Sequence, residues 1–474
     1  MQQNLTEPAG PSSPSAPRWK IRLPWGSALA GQVAWVGIIY GATQVLRLVT
    51  NIVLARLLAP ELFGTMMLIN TLRMGCELFT DIGVGQGIVT RPDGDSRRYI
   101  STAWTLQTLR GLLLFALAWA VASPLADFFN EPQLEELIPV AALIFVTTGM
   151  TSPTRFILQR QMKVRLLTTF EFTWTLITSV ITVALAYAMP GIWALMLGFL
   201  IGSALPAIAS FFLVDYRLHR FALDPAAVRS IFSIGKWMFA SSLIYFAAMN
   251  FDRLYFARAI PFAMLGVYSI ARTYAEAAML FVHQLGGLLI FPRIAAQAER
   301  GEALRRSIAP KRRLALAGVA ILLGGGVAGA DTIIELLYDQ RYHAAGPILT
   351  ILLAGSWFAV LATFADAMIL GVGAPSGVAL GNAVKLAWTI AMLPLALAYS
   401  GMAAAIAVLA AADAVRYAAL AYGKRRHGLS FLRQDLAFTM LFVITALVCR
   451  EAGALLGLTG GFGSWIEAAR ALNG

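Results

Sequence analysis

The chain has 474 residues, 58% of them hydrophobic and only 13% charged, with a mean hydropathy of +0.71. A soluble domain carries roughly 25% charged residues, so this composition excludes an ordinary globular enzyme and points to a membrane protein. The formal net charge of +12 would suggest a nucleic-acid partner in a soluble chain; here the excess falls in loops between apolar spans, where it meets anionic lipid headgroups instead.

In chain order, the Pro-, Ser- and Ala-rich stretch 1–30 reads as a disordered cytoplasmic tail. Apolar spans of membrane-crossing length follow near 31–55, 63–88, 100–125, 137–157, 167–189, 191–213, 231–251, 265–291, 314–337, 346–370, 376–398, 400–422 and 435–457. Six spans fill 31–213, a cytoplasmic linker covers 214–230, and six more fill 231–422. The remainder, 423–474, is a basic loop and a weaker span broken by Arg450 and Glu451, which fits a helix, a re-entrant piece or an interfacial segment. The expected fold is therefore an all-α polytopic membrane protein with about 12–13 transmembrane helices. Most of the 37 lysines and arginines lie in the N-terminal tail and the even-numbered loops, which places the N-terminus in the cytoplasm. Every loop is short, so no extramembrane catalytic domain fits. Cys76 and Cys449 lie in apolar segments and give no disulfide framework.

The first two spans are apolar on most faces and polar on one. Tyr40, Gln44, Arg47 and Asn51 lie on the first, and Asn70, Arg73, Glu77 and Asp81 on the second. Steps of three and four put each set on one side of a helix. A charge at the bilayer centre costs about 2.5–3.5 kcal/mol or more on insertion scales and normally faces a bundle interior or a water-filled cavity. The pattern predicts a wet, charged interior and hence a transport path.

Sliding the sequence by 202 residues aligns its halves without a gap over the strongest region: Trp35 meets Trp237, Arg56 meets Arg258, Gly64 meets Gly266 and Gly85 meets Gly287. Six spans per half is an even number, so both halves share one orientation, as two six-helix bundles related by a pseudo-two-fold along the membrane normal. The offset maps Asn51 onto Arg253, Asn70 onto Arg272 and Asp81 onto His283, with Glu276 beside them. A cleft between the bundles would be lined by the first, second, seventh and eighth spans. Its cationic candidates are Arg47, Arg73, Arg253 and Arg272; its cavity or coupling candidates are Gln44, Asn51, Asn70, Glu77, Asp81, Glu276 and His283. Competing structural readings are a snorkelling Arg253 near a helix end, an Arg73–Glu77 bridge, Asp81 as a helix-end anchor, and an Asp413–Arg416 pair within one helix. The glycine runs 83–87 and 324–326 lack the lysine and strand of a phosphate-binding loop, and the histidines and cysteines show no metal-ligand spacing. Neither cofactor nor metal is expected.

Several stretches resemble a known family. Val53–Gly64 (VLARLLAPELFG) is similar to the signature after the first helix of oligosaccharide flippases, and Asp81–Gly85 (DIGVG) to the element ending their second helix. Asp252-Arg253-Leu254 with Leu265–Ala271 (LGVYSIA), Phe291-Pro292-Arg293 and Leu337–Tyr342 (LYDQRY) also fit. The resemblance is to the polysaccharide-transporter branch of the multidrug/oligosaccharidyl-lipid/polysaccharide exporter superfamily and covers roughly residues 30–425. It implies a non-enzymatic flippase of a bacterial inner membrane, moving a polyprenyl-diphosphate-linked oligosaccharide from the cytoplasmic to the periplasmic leaflet for exopolysaccharide, capsule or O-antigen synthesis. The partners implied are that lipid-linked oligosaccharide, membrane lipids, and polysaccharide polymerase and export machinery, the chain itself being a monomer. Arginine forks match diphosphate oxygens bidentately, which suits the four arginines. The rivals are an ion-coupled exporter of cationic drugs, disfavoured by like-charge repulsion in an arginine-lined site, and a membrane glycosyltransferase or polymerase, disfavoured by few acidic or histidine residues in the periplasmic loops.

Overall fold

The computed structural model describes residues 27–81, 83–213, 219–289, 302–371, 375–426 and 428–472. Most of the expected tail, the heart of the 214–230 linker, the Phe291-Pro292-Arg293 motif and the side chain of His283 lie outside the described residues.

The described chain is helical throughout, with no strand among the described residues. The helices are α1 (Ser27–Leu57), α2 (Pro60–Phe79), α3 (Val84–Thr90), α4 (Arg97–Phe129), α5 (Gln133–Met150), α6 (Thr154–Arg160), α7 (Val164–Ala188), α8 (Ile192–Ser210), α9 (Pro225–Ala259) and α10 (Phe262–Leu289). There follow α11 (Glu302–Leu337), α12 (Ala345–Gly371), α13 (Pro375–Arg426), α14 (Leu432–Leu455) and α15 (Phe462–Ala471). Hydrocarbon offers the backbone no hydrogen-bond partners, so apolar segments of this length satisfy themselves as helices.

Among the described residues, nine helices are long and apolar enough to cross a membrane. One of them runs 50 residues, Ser376–Arg425, about 75 Å at 1.5 Å per residue and more than twice a hydrocarbon core. It breaks at Gly401, whose φ of 78° is the left-handed conformation that glycine adopts without cost, and so makes two passes. α2, α9 and α10 occupy three further predicted spans; they fall outside that set and carry the charged residues described below. The chain is a multi-pass helical membrane protein.

Two local differences from the sequence reading, and one reading left open there, have physical causes. The second predicted span ends early, because Gly83 turns left-handed (φ 77°) and the Asp81 carboxylate accepts from the Gly83 N–H at 2.9 Å. Asp81 thus anchors a helix break before α3. Asp413 and Arg416 do not pair with each other. Asp413 accepts from Lys385 at 2.6 Å, and Arg416 reaches Asp366 at 2.6 Å and Asn382 at 2.9 Å, so these charges tie one pass to another. The weak last span is a continuous helix, because Arg450 turns inward and is fully buried. It meets both oxygens of Asp331 on α11 at 2.6 Å and the Ser464 hydroxyl at 2.6 Å. At the other end of the same two helices, buried Arg312 of α11 pairs with Asp435 of α14. The two pairs have opposite polarity, so they set both the parallel direction of α14 on α11 and its register.

In the first part of the chain α1 packs on α7, α7 on α8, α8 on α5 and α5 on α4; in the second, α9 and α12 pack on α13, and α12 also packs on α10 and α11. α2 joins the two parts by lying against α9 and α10. Its contact with α10 is very close: a Cβ on Gly64 would collide with the carbonyl of Phe262, and one on Gly266 with the carbonyl of Pro60. Both pairs are related by the 202-residue offset.

The ends of α1 and α11 are fastened together. Arg56 Nε donates to the Leu337 carbonyl at 3.4 Å, Tyr342 Oη to Leu58 at 3.1 Å, and Arg341 Nη2 to Ala55 at 3.4 Å. Phe63 meets the Tyr342 ring edge-on. The repeat-related arginine behaves alike: Arg258 donates to the Asn130 side chain at the end of α4, at 2.9 Å with the amide turned so that its oxygen faces the guanidinium.

Candidate functional site

α2, α9 and α10 meet with their polar faces together, and three of the four predicted arginines line one cavity of about 590 Å³. Arg73 comes from α2, Arg253 from α9 and Arg272 from α10. Asn51, Asn70 and Glu276 line the same cavity. Its other side is built from hydroxyl groups of α1, α7 and α8, including Thr50, Thr178, Thr182 and Ser203, with the Phe63 and Phe199 rings beside them. One wall is thus charged, and the other carries alcohols and aromatic faces.

Each arginine in that wall has a carboxylate. Arg73 Nη1 donates to Glu77 at 2.6 Å one helical turn on, and its guanidinium lies 5.5 Å from the Phe199 ring centre. Arg253 Nη2 and Arg272 Nε both donate to the same oxygen of Glu276, the second at 2.9 Å. Arg253 also donates to Asn250 at 3.2 Å, and Arg272 Nη1 lies 3.4 Å from Asp252. The Asp252 side chain is only 6% exposed and accepts from the Tyr268 hydroxyl. Arg253 is therefore no snorkelling helix-end residue; it points inward and bridges α9 to α10. The Nε atoms of Arg73 and Arg253 are buried without an acceptor among the described residues.

Arg47 differs. It lines a cavity of about 420 Å³ with Gln44, Tyr40 and Glu171, and a second of about 340 Å³ with Gln44, Asn51, Thr273, Glu276 and Leu280. The second lies between α1 and α10 and places Arg47 and Glu276 around one space. No hydrogen bond or ion pair engages Arg47 among the described residues. A further cavity of about 400 Å³ continues past Arg253, Arg272 and Glu276 to Lys385, Asp413 and Arg416.

Two predicted residues stand apart from these spaces. Asp81 serves the helix break. Glu77 backs Arg73, and its carbonyl accepts from Arg110 Nη2 at 2.8 Å. Asp252 and Tyr268, which brace Arg272 from behind, were legible only as family-like motif residues. Their signal lies in the 16-residue separation across the α9–α10 turn, which no helical periodicity exposes.

The polysaccharide biosynthesis protein family matches residues 53–347, more than half of the chain. The chain belongs to that family. The match runs from the end of α1 to the start of α12 and so includes Arg73, Arg253, Arg272 and Glu276. The teichuronic acid biosynthesis protein TuaB of Bacillus subtilis (strain 168) is 23% identical over 58% of this chain and 57% of its own length. The lipopolysaccharide biosynthesis protein WzxC of Escherichia coli (strain K12) is 23% identical over 65% and 62%. The chain thus spans about three fifths of the length of these family relatives. Among solved structures, the lipid II flippase MurJ in an inward closed conformation superposes with a TM-score of 0.72 at 12% identity, over 92% of this chain and 96% of that one. An inward-facing MATE-family multidrug resistance transporter of the MOP superfamily gives 0.56 at 12%, over 84% and 95%. These likenesses bear out the all-α polytopic membrane fold expected from the sequence.

Proposed function

We propose that the chain is a secondary transporter that flips a polyprenyl-diphosphate-linked oligosaccharide across a bacterial inner membrane by alternating access, without enzymatic chemistry, in the synthesis of an exopolysaccharide, capsule or O-antigen. One observation carries the reading: Arg253 and Arg272 converge on a single carboxylate oxygen inside a cavity whose far wall is hydroxyl-lined. Two guanidinium forks around one oxygen suit a phosphate group. Alcohol side chains and aromatic faces suit sugar hydroxyls and ring faces. The space between α1 and α10, with Leu48 and Leu280 among its residues, gives an apolar tail a way out to lipid. A cationic drug would meet repulsion from Arg47, whose charge no described partner offsets, which favours the anionic cargo. In this reading the 31–213 and 231–422 segments are six-helix bundles that rock about the α2–α10 contact. The fastened ends of α1 and α11 are the closed periplasmic side, and membrane lipids, polymerase and export machinery are the partners of a monomer.

The direct test uses proteoliposomes loaded with a fluorescent polyprenyl-diphosphate oligosaccharide. Purified protein moves the lipid between leaflets without ATP, whereas a transporter of another cargo leaves it where it started.

Orientation has its own test. In a chain with Cys76 and Cys449 replaced by serine, cysteine at exposed Gln340 reacts with an impermeant thiol reagent in intact cells, and cysteine at exposed Asp95 does not. The opposite pattern reverses the topology and the direction of transport with it.

A further inference from the structure

We propose that Glu276 is the resident counter-ion of the arginine site, and that an incoming diphosphate displaces it. The inference rests on the flippase reading and adds a residue that tunes release.

Glu276 already occupies the position that a phosphate oxygen would take. One of its oxygens accepts from Arg253 Nη2 and from Arg272 Nε. The neighbouring carboxylate, Asp252, has a different character. It is 6% exposed and held by Tyr268 and Arg272, whereas the Glu276 side chain is 46% exposed. Asp252 is a fixed brace, and Glu276 is free to swing. It also has somewhere to go, because it lines three adjoining cavities: the main one, the one beside Arg47 and the one reaching Lys385. Swinging toward α1 brings its carboxylate into the space that Arg47 lines, a cation without a partner among the described residues.

The charges support an exchange of anions. Arg73, Arg253 and Arg272 face Glu77, Asp252 and Glu276, three cations against three carboxylates. The unloaded site is therefore neutral in these groups rather than a bare cationic patch. Two bare guanidiniums in a low-dielectric cleft would hold a diphosphate too firmly to let it go. A tethered carboxylate competing for the same donors weakens the grip, and its return expels the substrate on the far side. A carrier needs binding weak enough to leave as well as strong enough to enter.

Binding of geranylgeranyl diphosphate to detergent-purified protein, set beside polymer export in cells, tests this with Glu276→Gln and Arg272→Lys. Glutamine keeps the shape and removes the charge, so Glu276→Gln binds the probe about ten-fold tighter and exports less because release slows. Weaker binding by Glu276→Gln, with Arg272→Lys also weakened, shows that Glu276 positions the arginines; the exchange idea then fails while the site stands. Binding unchanged in both variants removes the diphosphate site itself, and the flippase reading loses its carrying observation. Tighter binding with unimpaired export also overturns the proposal, since Glu276 would then play no part in release.

Discussion

Arg47→Ala leaves the amount of folded protein unchanged and lowers polymer export about ten- to a hundred-fold, the effect of losing a charge-assisted contact of about 1.5–3 kcal/mol. Arg47 holds up nothing: it is exposed, lines two cavities and engages no partner among the described residues. Arg272→Ala behaves differently and loses protein as well as export. It strips the buried Asp252 carboxylate of its cation and leaves the Tyr268 hydroxyl as the neighbour. Breaking a buried pair from one side costs about 3–5 kcal/mol. The contrast is read by fluorescence-detected size exclusion alongside export in a strain lacking the native gene. Normal export from Arg47→Ala would remove it from the transport path, and full protein levels from Arg272→Ala would show that Asp252 finds another partner.

Arg450→Leu has the largest expected effect on stability, again about 3–5 kcal/mol, although it lies far along the chain from the arginine wall. Asp331 then loses two 2.6 Å bonds, Ser464 loses a third, and the Trp465 ring loses the guanidinium 5.1 Å from its centre. α14 and α15 should detach and become sensitive to protease. The double variant Arg450→Leu with Asp331→Leu recovers much of the loss, because an apolar pair replaces a buried ion pair at little cost. Equal stability of the single and double variants would mean that apolar packing alone seats α14.

The spans were legible because length and hydropathy are properties of contiguous sequence, and hydrocarbon leaves the backbone no alternative to a helix. The polar stripes were legible for a similar reason: Arg73 and Glu77 are four residues apart and did pair. What stayed hidden was every pairing between helices. Asp413 and Arg416 satisfied the local rule for a pair, yet each found a stronger partner on another pass, Lys385 and Asp366. Arg450 looked like an interruption because periodicity does not say which way an isolated charge turns; its reason lies 119 residues earlier at Asp331. Glu276 was visible as a neighbour of the stripe, while its sharing between two arginines required the approach of α9 to α10.

The Gly64–Gly266 contact has a consequence for how the two parts of the chain can differ. Position i meets position i+202 from both directions, Pro60 against Gly266 and Phe262 against Gly64. That reciprocity is the mark of an isologous interface, the kind formed by two copies of one subunit about a dyad. In a true homodimer every substitution appears twice, so a charge acquired on one wall is imposed on the wall facing it. Covalent fusion lifts that constraint. The shared contact keeps its small residues on both sides, while Asn51 and Asn70 line the same cavity as their counterparts Arg253 and Arg272, amides where the second part of the chain has guanidiniums. A single chain can therefore set a hydroxyl-lined wall opposite an arginine-lined one, an asymmetry that a symmetric pair of identical subunits is unable to build.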